Sequence, residues 1–238
     1  MSALPPRMTS RIRPEGTWTG PVDELVDVPF DALVTATRDR FSGRVWDVRT
    51  DAVELGDGQA VRRDFIVHTG AVGAIVLDAA DNVLLVRQYR HPVGALMWEP
   101  PAGLLDLEAE TPLECAQREL VEEAGVVAHD WHTLVDMANS PGGSSEVFRC
   151  FLARDVGAAP GGRPEGHGEE RDMPTAWVPL ELAVELVLSG RLNSPITVAG
   201  VLATVAARAA HWATLRDADA EWPLRSQVLA TSRARTFR

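Results

Sequence analysis

Residues 101–126, PAGLLDLEAETPLECAQRELVEEAGV, constrain this chain more than any other stretch. Thr111 is placed as an N-cap, Pro112 fits a first helical turn, and Glu114 stands where a capping box has its acid. Gly125 supplies a C-terminal stop. Together these signals predict a helix over 112–124. At about 100° per residue, Leu113, Ala116, Leu120 and Ala124 share one face, which is the expected core face. Glu119 and Glu123 lie one turn apart beside that stripe. Glu122 is nearby on the outer side, and Arg118, four residues earlier, can restrain it. Carboxylates at this spacing, next to a loop with exposed backbone carbonyls, can hold a hard divalent cation. Mg²⁺ takes oxygen ligands and usually keeps waters and substrate phosphates in its shell. A lone Glu-Glu pair, by contrast, is ordinarily a solvated acidic face.

The 238 residues suffice for one large domain or a domain with an added module, and 45% apolar residues permit a sizeable core. A net charge of −11 argues against a general nucleic-acid binder. It leaves room for a small anionic substrate, since a metal ion and a few arginines neutralise charge locally. Cys115 and Cys150 form no disulfide framework and read as reduced thiols of a cytoplasmic protein. The first residues lack the apolar core of a signal peptide. The late apolar stretch 196–210 is too short to span a bilayer and contains Arg208. No membrane partner is expected.

Residues 1–23, rich in Pro, Arg, Ser and Gly, read as a tail. Residues 24–68 read as a small antiparallel β module, with strand-like runs at 24–28, 44–53 and 60–68 and a turn at Gly56-Asp57-Gly58. The main domain is expected over 69–216. Strands are predicted at 71–78 and 83–90, as continuous apolar runs suited to a sheet covered on both faces. Further strands are predicted at 131–137, 146–153 and 176–180, with a Ser-Pro-Gly-Gly turn at 140–145. Helices are predicted over 180–189 and from Pro195 to about Arg216. Residues 157–171 read as a long acidic loop, and long loops are often functional. Residues 217–238 read as a mixed tail. No internal repeat, phosphate-binding glycine loop with Lys-Ser/Thr, or HExxH motif is present.

The pattern Gly103, Glu110, Arg118, Glu119, Leu120, Glu122, Glu123, Gly125, Val126 resembles the Nudix box. Six residues separate Gly103 from Glu110, where the usual box has five, so either Glu108 or Glu110 takes the place of the first acid. The flanks QYRHP, WEPPAGLLD, SPGGSSE and HGEERDM, with a late Asn193-Ser194, resemble the ADP-ribose pyrophosphatase branch, whose box carries the same extra residue. The resemblance implies an α+β fold, an α/β/α Nudix sandwich behind an N-terminal antiparallel β module. It also implies a homodimer that exchanges this module to complete the substrate site.

The implied activity is Mg²⁺-dependent, or Mn²⁺-dependent, hydrolysis of ADP-ribose or a related nucleoside diphosphate sugar to AMP and ribose 5-phosphate. The Ala102 carbonyl, Glu119 and Glu123 would ligate metal, with Glu122 a further ligand or outer-sphere group. Glu170 matches the catalytic glutamate, and Glu169 is its neighbouring candidate. Arg90 matches a diphosphate or ribose contact. Ser140, Gly142, Gly143 and Glu146 fall in the loop lining the terminal-ribose pocket. Arg63, Asp64 and His68 fall at the adenosine half, and Leu104 lines the pocket. Two other readings stand beside this one. The first is a Nudix hydrolase of another nucleotide sugar or an oxidised nucleotide. The second is a non-catalytic Nudix-fold ligand-binding regulator, which the retention of Glu119, Glu122 and Glu123 disfavours.

Overall fold

A computed structural model of the chain describes residues 20–56, 58–107, 109–165 and 173–236. They fall into two compact units. One holds the residues up to His68, Ser140–Ser145, and those from Trp222 onward; the other holds Thr69–Asn139 and Glu146–Glu221.

The first unit is built on an antiparallel sheet of β1 (Leu33–Ser42), β2 (Asp47–Glu54) and β3 (Ala60–Val67), in that spatial order. The expected strand at 24–28 is absent: a 3₁₀ turn at Val22–Glu24 precedes irregular chain up to Leu33. β1 is the strand that the hydrophobic pattern did not reveal. It is exposed along nearly all its length, so its residues carry no inward–outward alternation. Residues read as a C-terminal tail contain a helix, α4 (Pro223–Thr236), on which Gln227 donates to Asp31 Oδ1 at 2.6 Å.

The second unit carries two sheets. β4 (Ala71–Val76), β7 (Ala102–Leu104), β8 (Val126–Ala138), β9 (Val147–Ala158) and β11 (Arg216–Asp217) form a five-stranded sheet in the order β11-β8-β9-β4-β7. Its central β4–β9 pair is parallel and its other pairs are antiparallel. β5 (Asn82–Arg90), β6 (Ala95–Glu99) and β10 (Thr175–Pro179) form a three-stranded sheet with β5 in the middle. All six residues of β4 are buried, as the apolar run anticipates.

Helices cover both faces of the five-stranded sheet. α1 (Pro112–Ala124) packs on β4, β7 and β8, while α3 (Pro195–Ala209) packs on β4, β8 and β9. Gly73 and Ile75 face α3: a Cβ at Gly73 would press on Ile196, and one at Gly200 on Ile75. Val72, Ala74 and Val76 therefore face the other way. α2 (Leu180–Leu188) adds Leu180, Ala183 and Val187 to the core on the α3 side. This is the expected α/β/α sandwich. α3 ends earlier than expected, because His211 and Trp212 adopt left-handed backbone and Trp212 N–H turns back to the Ala207 carbonyl at 2.7 Å. No helix among the described residues is long and apolar enough to cross a membrane.

Candidate active site

α1 starts and stops where its sequence dictates. The Thr111 hydroxyl accepts from Glu114 N–H, Glu114 returns the bond to Thr111 N–H at 2.8 Å, and Gly125 ends the helix at φ 65°. The buried stripe is Cys115, Ala116, Leu120 and Glu123, whereas Leu113 and Ala124 are only half-buried. The helix is thus turned so that an acid, Glu123, joins the covered face. What makes this tolerable is a polar partner: Ala102 N–H donates to Glu123 Oε2 at 3.0 Å. That bond fixes the helix against the short strand β7.

Arg118 gathers the other acids. Its Nε and Nη2 donate to Glu110 Oε1 and Oε2 at 2.8 and 2.9 Å, a two-pronged pairing. Its Nη1 donates to Glu119 Oε1 at 2.7 Å and to Glu122 Oε2 at 2.9 Å. Glu110 is thus an acid that pairs with Arg118, while Glu108 lies outside the described residues. Hydrogen bonding to Arg118 holds the Glu110 carboxyl below its usual range, and the same bond holds the Arg118 guanidinium above its own. Cys115 Sγ donates to the Leu104 carbonyl at 3.4 Å, and burial pushes its thiol up to about 12. Gly103 faces Glu119 so closely that any Cβ there would overlap the carboxylate.

Glu110, Glu119 and Glu122 thus meet at Arg118, while Glu123 is held by the Ala102 N–H. Among the described residues no three His, Cys, Asp or Glu side chains form an ion cage by themselves. Mg²⁺ does not require one, since one or two carboxylates suffice when water and substrate phosphate complete the shell. The all-oxygen donor set, the Gly103 cradle for Glu119 and the buried Glu123 beside Ala102 fit such an ion.

The other predicted residues divide between the two units. In the second unit, Arg90 Nε donates to Glu99 Oε2 at 2.7 Å, and Asn139 Nδ2 donates to Glu146 Oε1 at 2.9 Å. In the first, the Ser140 carbonyl accepts from Gly143 N–H and Ser144 N–H, each at 2.9 Å, and the Gly143 carbonyl accepts from Ile66 N–H at 2.9 Å. Gly142 has open space where a Cβ would stand. His68 N–H donates to Ser145 Oγ at 2.9 Å, and its ring stacks on Trp46 with centroids 5.9 Å apart. Arg63 is exposed, while Asp64 accepts from the Thr50 hydroxyl, so these neighbours point to opposite faces of β3. Glu169 and Glu170 lie outside the described residues.

Glu99, Asn139 and Arg163 escaped the sequence reading. Arg163 donates to the Glu122 carbonyl at 3.2 Å and the Met173 carbonyl at 2.8 Å, which links the end of α1 to the start of the next described stretch. Glu99 carried a signal, as the acid closing the otherwise apolar run ALMWE.

Residues 67–196 match the NUDIX domain family. The chain belongs to the Nudix family. It is 42% identical over 210 residues to an ADP-ribose pyrophosphatase of Mycobacterium tuberculosis, covering 88% of this chain and 99% of that protein. It is 31% identical over 172 residues to a methanol dehydrogenase activator of Bacillus methanolicus, covering 72% and 91%. A crystal structure of an ADP compounds hydrolase superposes with a TM-score of 0.65 at 20% identity, covering 78% of this chain and 98% of that one, which bears on the fold alone.

Proposed function

We propose that this protein hydrolyses the diphosphate linkage of ADP-ribose to AMP and ribose 5-phosphate, with Mg²⁺ or Mn²⁺ bound at the α1 carboxylates. The observation that carries this reading is the carboxylate cluster that Arg118 organises beside Gly103. The Mycobacterium tuberculosis relative supports the choice of substrate through its activity and near-complete overlap with this chain.

The Ala102 carbonyl, Glu119 and Glu123 would hold the ion, with Glu122 a further ligand or outer-sphere group. When bound, the ion offsets the charge of the diphosphate and stabilises charge on the departing phosphate oxygen. Arg118 draws Glu119 and Glu122 to one guanidinium, which sets their orientation before substrate arrives. Glu170 is assigned the removal of a proton from the attacking water, with Glu169 the neighbouring candidate. Such general-base assistance is worth about 10²–10⁴ in rate. Arg90 is assigned to the diphosphate, and Leu104 to the pocket wall. Ser140, Gly142, Gly143 and Glu146 are assigned to the terminal ribose. Arg63, Asp64 and His68 are assigned to the adenosine half. We place the enzyme in the cytoplasm as a homodimer; two free, buried thiols suit a reducing compartment.

The test is a hydrolysis panel of ADP-ribose, ADP-glucose, GDP-mannose and 8-oxo-dGTP with and without Mg²⁺, repeated for Glu123→Gln and Glu170→Gln. ADP-ribose is expected to be turned over best, only with metal, and both variants to lose turnover. Binding is expected to suffer less in Glu170→Gln. Equal or faster turnover of another substrate overturns the assignment, and full activity of Glu170→Gln moves the base to Glu169 or Glu146.

A further inference from the structure

Glu99 closes β6 and is 7% exposed. Pro100, Pro101 and the strand carrying Ala102 and Gly103 follow directly. The strand register sets Glu99 opposite Val86 and Ala95 opposite Arg90. Arg90 therefore stands four residues beyond Val86 on the same face of the hairpin. Its side chain runs back along that face, so that Nε meets Glu99 Oε2 at 2.7 Å. Among the described residues the two Nη groups have no protein acceptor.

β6 is a firm base for this contact. The Trp98 carbonyl accepts from the Thr197 hydroxyl at 3.1 Å, and the Arg87 guanidinium lies 5.4 Å from the centre of the Trp98 ring. Were the pair a surface ornament, it would contribute little. Glu99, however, is a buried carboxylate, which is costly to leave without a partner. A guanidinium pinned through Nε keeps a planar pair of Nη donors, the geometry that matches two phosphate oxygens.

Resting on the reading above, which assigns Arg90 to the diphosphate, we propose that Glu99 is a positioning residue for substrate binding. It orders the Arg90 fork before the diphosphate arrives, so less side-chain freedom is lost on binding. Because Glu99 immediately precedes the box loop, the same contact registers Arg90 against Ala102 and Gly103.

The experiment is a cycle of Glu99→Leu, Arg90→Ala and the double variant, read as KM and kcat for ADP-ribose with Mg²⁺. Glu99→Leu is expected to raise KM about three- to tenfold with a much smaller change in kcat. The double variant is expected to be no worse than Arg90→Ala, because an Arg90 that is gone cannot be misplaced. Glu99→Gln, which keeps an oxygen acceptor, is expected to recover most of the loss, and Glu99→Ala, which also removes the acceptor of Arg90 Nε, takes the place of Glu99→Leu if that variant does not fold. An unchanged KM in Glu99→Leu or Arg90→Ala, or losses that multiply in the double variant, overturns the proposal while leaving the ADP-ribose reading intact. Failure of the wild-type protein to hydrolyse ADP-ribose removes both.

Discussion

Gly103 lies against the Glu119 carboxylate: a Cβ on Gly103 would fall within that carboxylate unless the Glu119 side chain swung aside. The glycine is therefore set by close approach. Gly103→Ala must push Glu119 away from its bond to Arg118. A displacement of about 1 Å at a reacting centre costs on the order of 10² in rate. We expect kcat/KM for ADP-ribose to fall by about that factor or more in Gly103→Ala. The melting temperature should change little, because the clash meets a carboxylate and no apolar core. Near-normal turnover of this variant would show that Glu119 is not needed where it lies.

Glu110 gives a prediction in pH. Its carboxyl is held below the usual range chiefly by the Arg118 hydrogen bond. A group depressed in the folded state adds stability above its unfolded pKa, about 4.3 for Glu, and loses it as pH falls through the folded value. Glu110→Gln should accordingly be less stable than wild type at about pH 7 and approach it as pH drops below about 4. Melting temperatures of the two proteins across that range check this. A gap that stays constant or widens toward acid would contradict the role given to the Arg118 pairing.

Both cysteines should be inert in the native protein. Burial pushes the Cys115 and Cys150 thiols up to about 12, and each is fully covered. The thiolate is the reactive form, so a thiol reagent at about pH 8 should find neither until the chain unfolds. Two equivalents should react in denaturant. Rapid native-state labelling of Cys115 would mean that α1 opens away from Leu104.

What the sequence disclosed follows the range of the forces involved. The ends of α1 were legible because Thr111, Glu114 and Gly125 act on backbone within one turn of themselves. The buried run of β4 was legible because every position is apolar. β1 was not, since LVTATRDRFS covers almost nothing and is held by pairing with β2. The acid content of the site was legible, but its organisation was less so. Arg118 was expected to restrain Glu122, and it also binds Glu119 and reaches eight residues back to Glu110. Glu99 with Arg90, and Asn139 with Glu146, depend on strand register and loop path, which local periodicity does not encode.

Arg149 is a further case of hidden register, and it carries the last prediction. It is a 2% exposed cation in the otherwise apolar start of β9. Its partner, Asp136, is directly across on β8, but a register shift between Thr133 and Val135 conceals the match from the sequence. Nε and Nη2 donate to the two Asp136 oxygens at 2.7 and 3.0 Å, and Arg216 adds a bond to Oδ2 at 2.9 Å. Arg149 also donates to the carbonyls of Ala220 and Glu221 at 2.7 and 3.1 Å, so one buried guanidinium holds the chain that follows β11. Removing one partner of a buried pair costs about 3–5 kcal/mol, because the remaining charge and carbonyls lose their donor. Arg149→Leu is expected to lose that much in urea unfolding, with hydrogen-exchange protection falling first over 216–221. Arg216→Leu, which removes an exposed side chain and leaves the Arg149–Asp136 fork intact, should lose less than about 1 kcal/mol. Equal losses in the two variants would locate the stabilisation in Asp136 alone and not in the buried guanidinium.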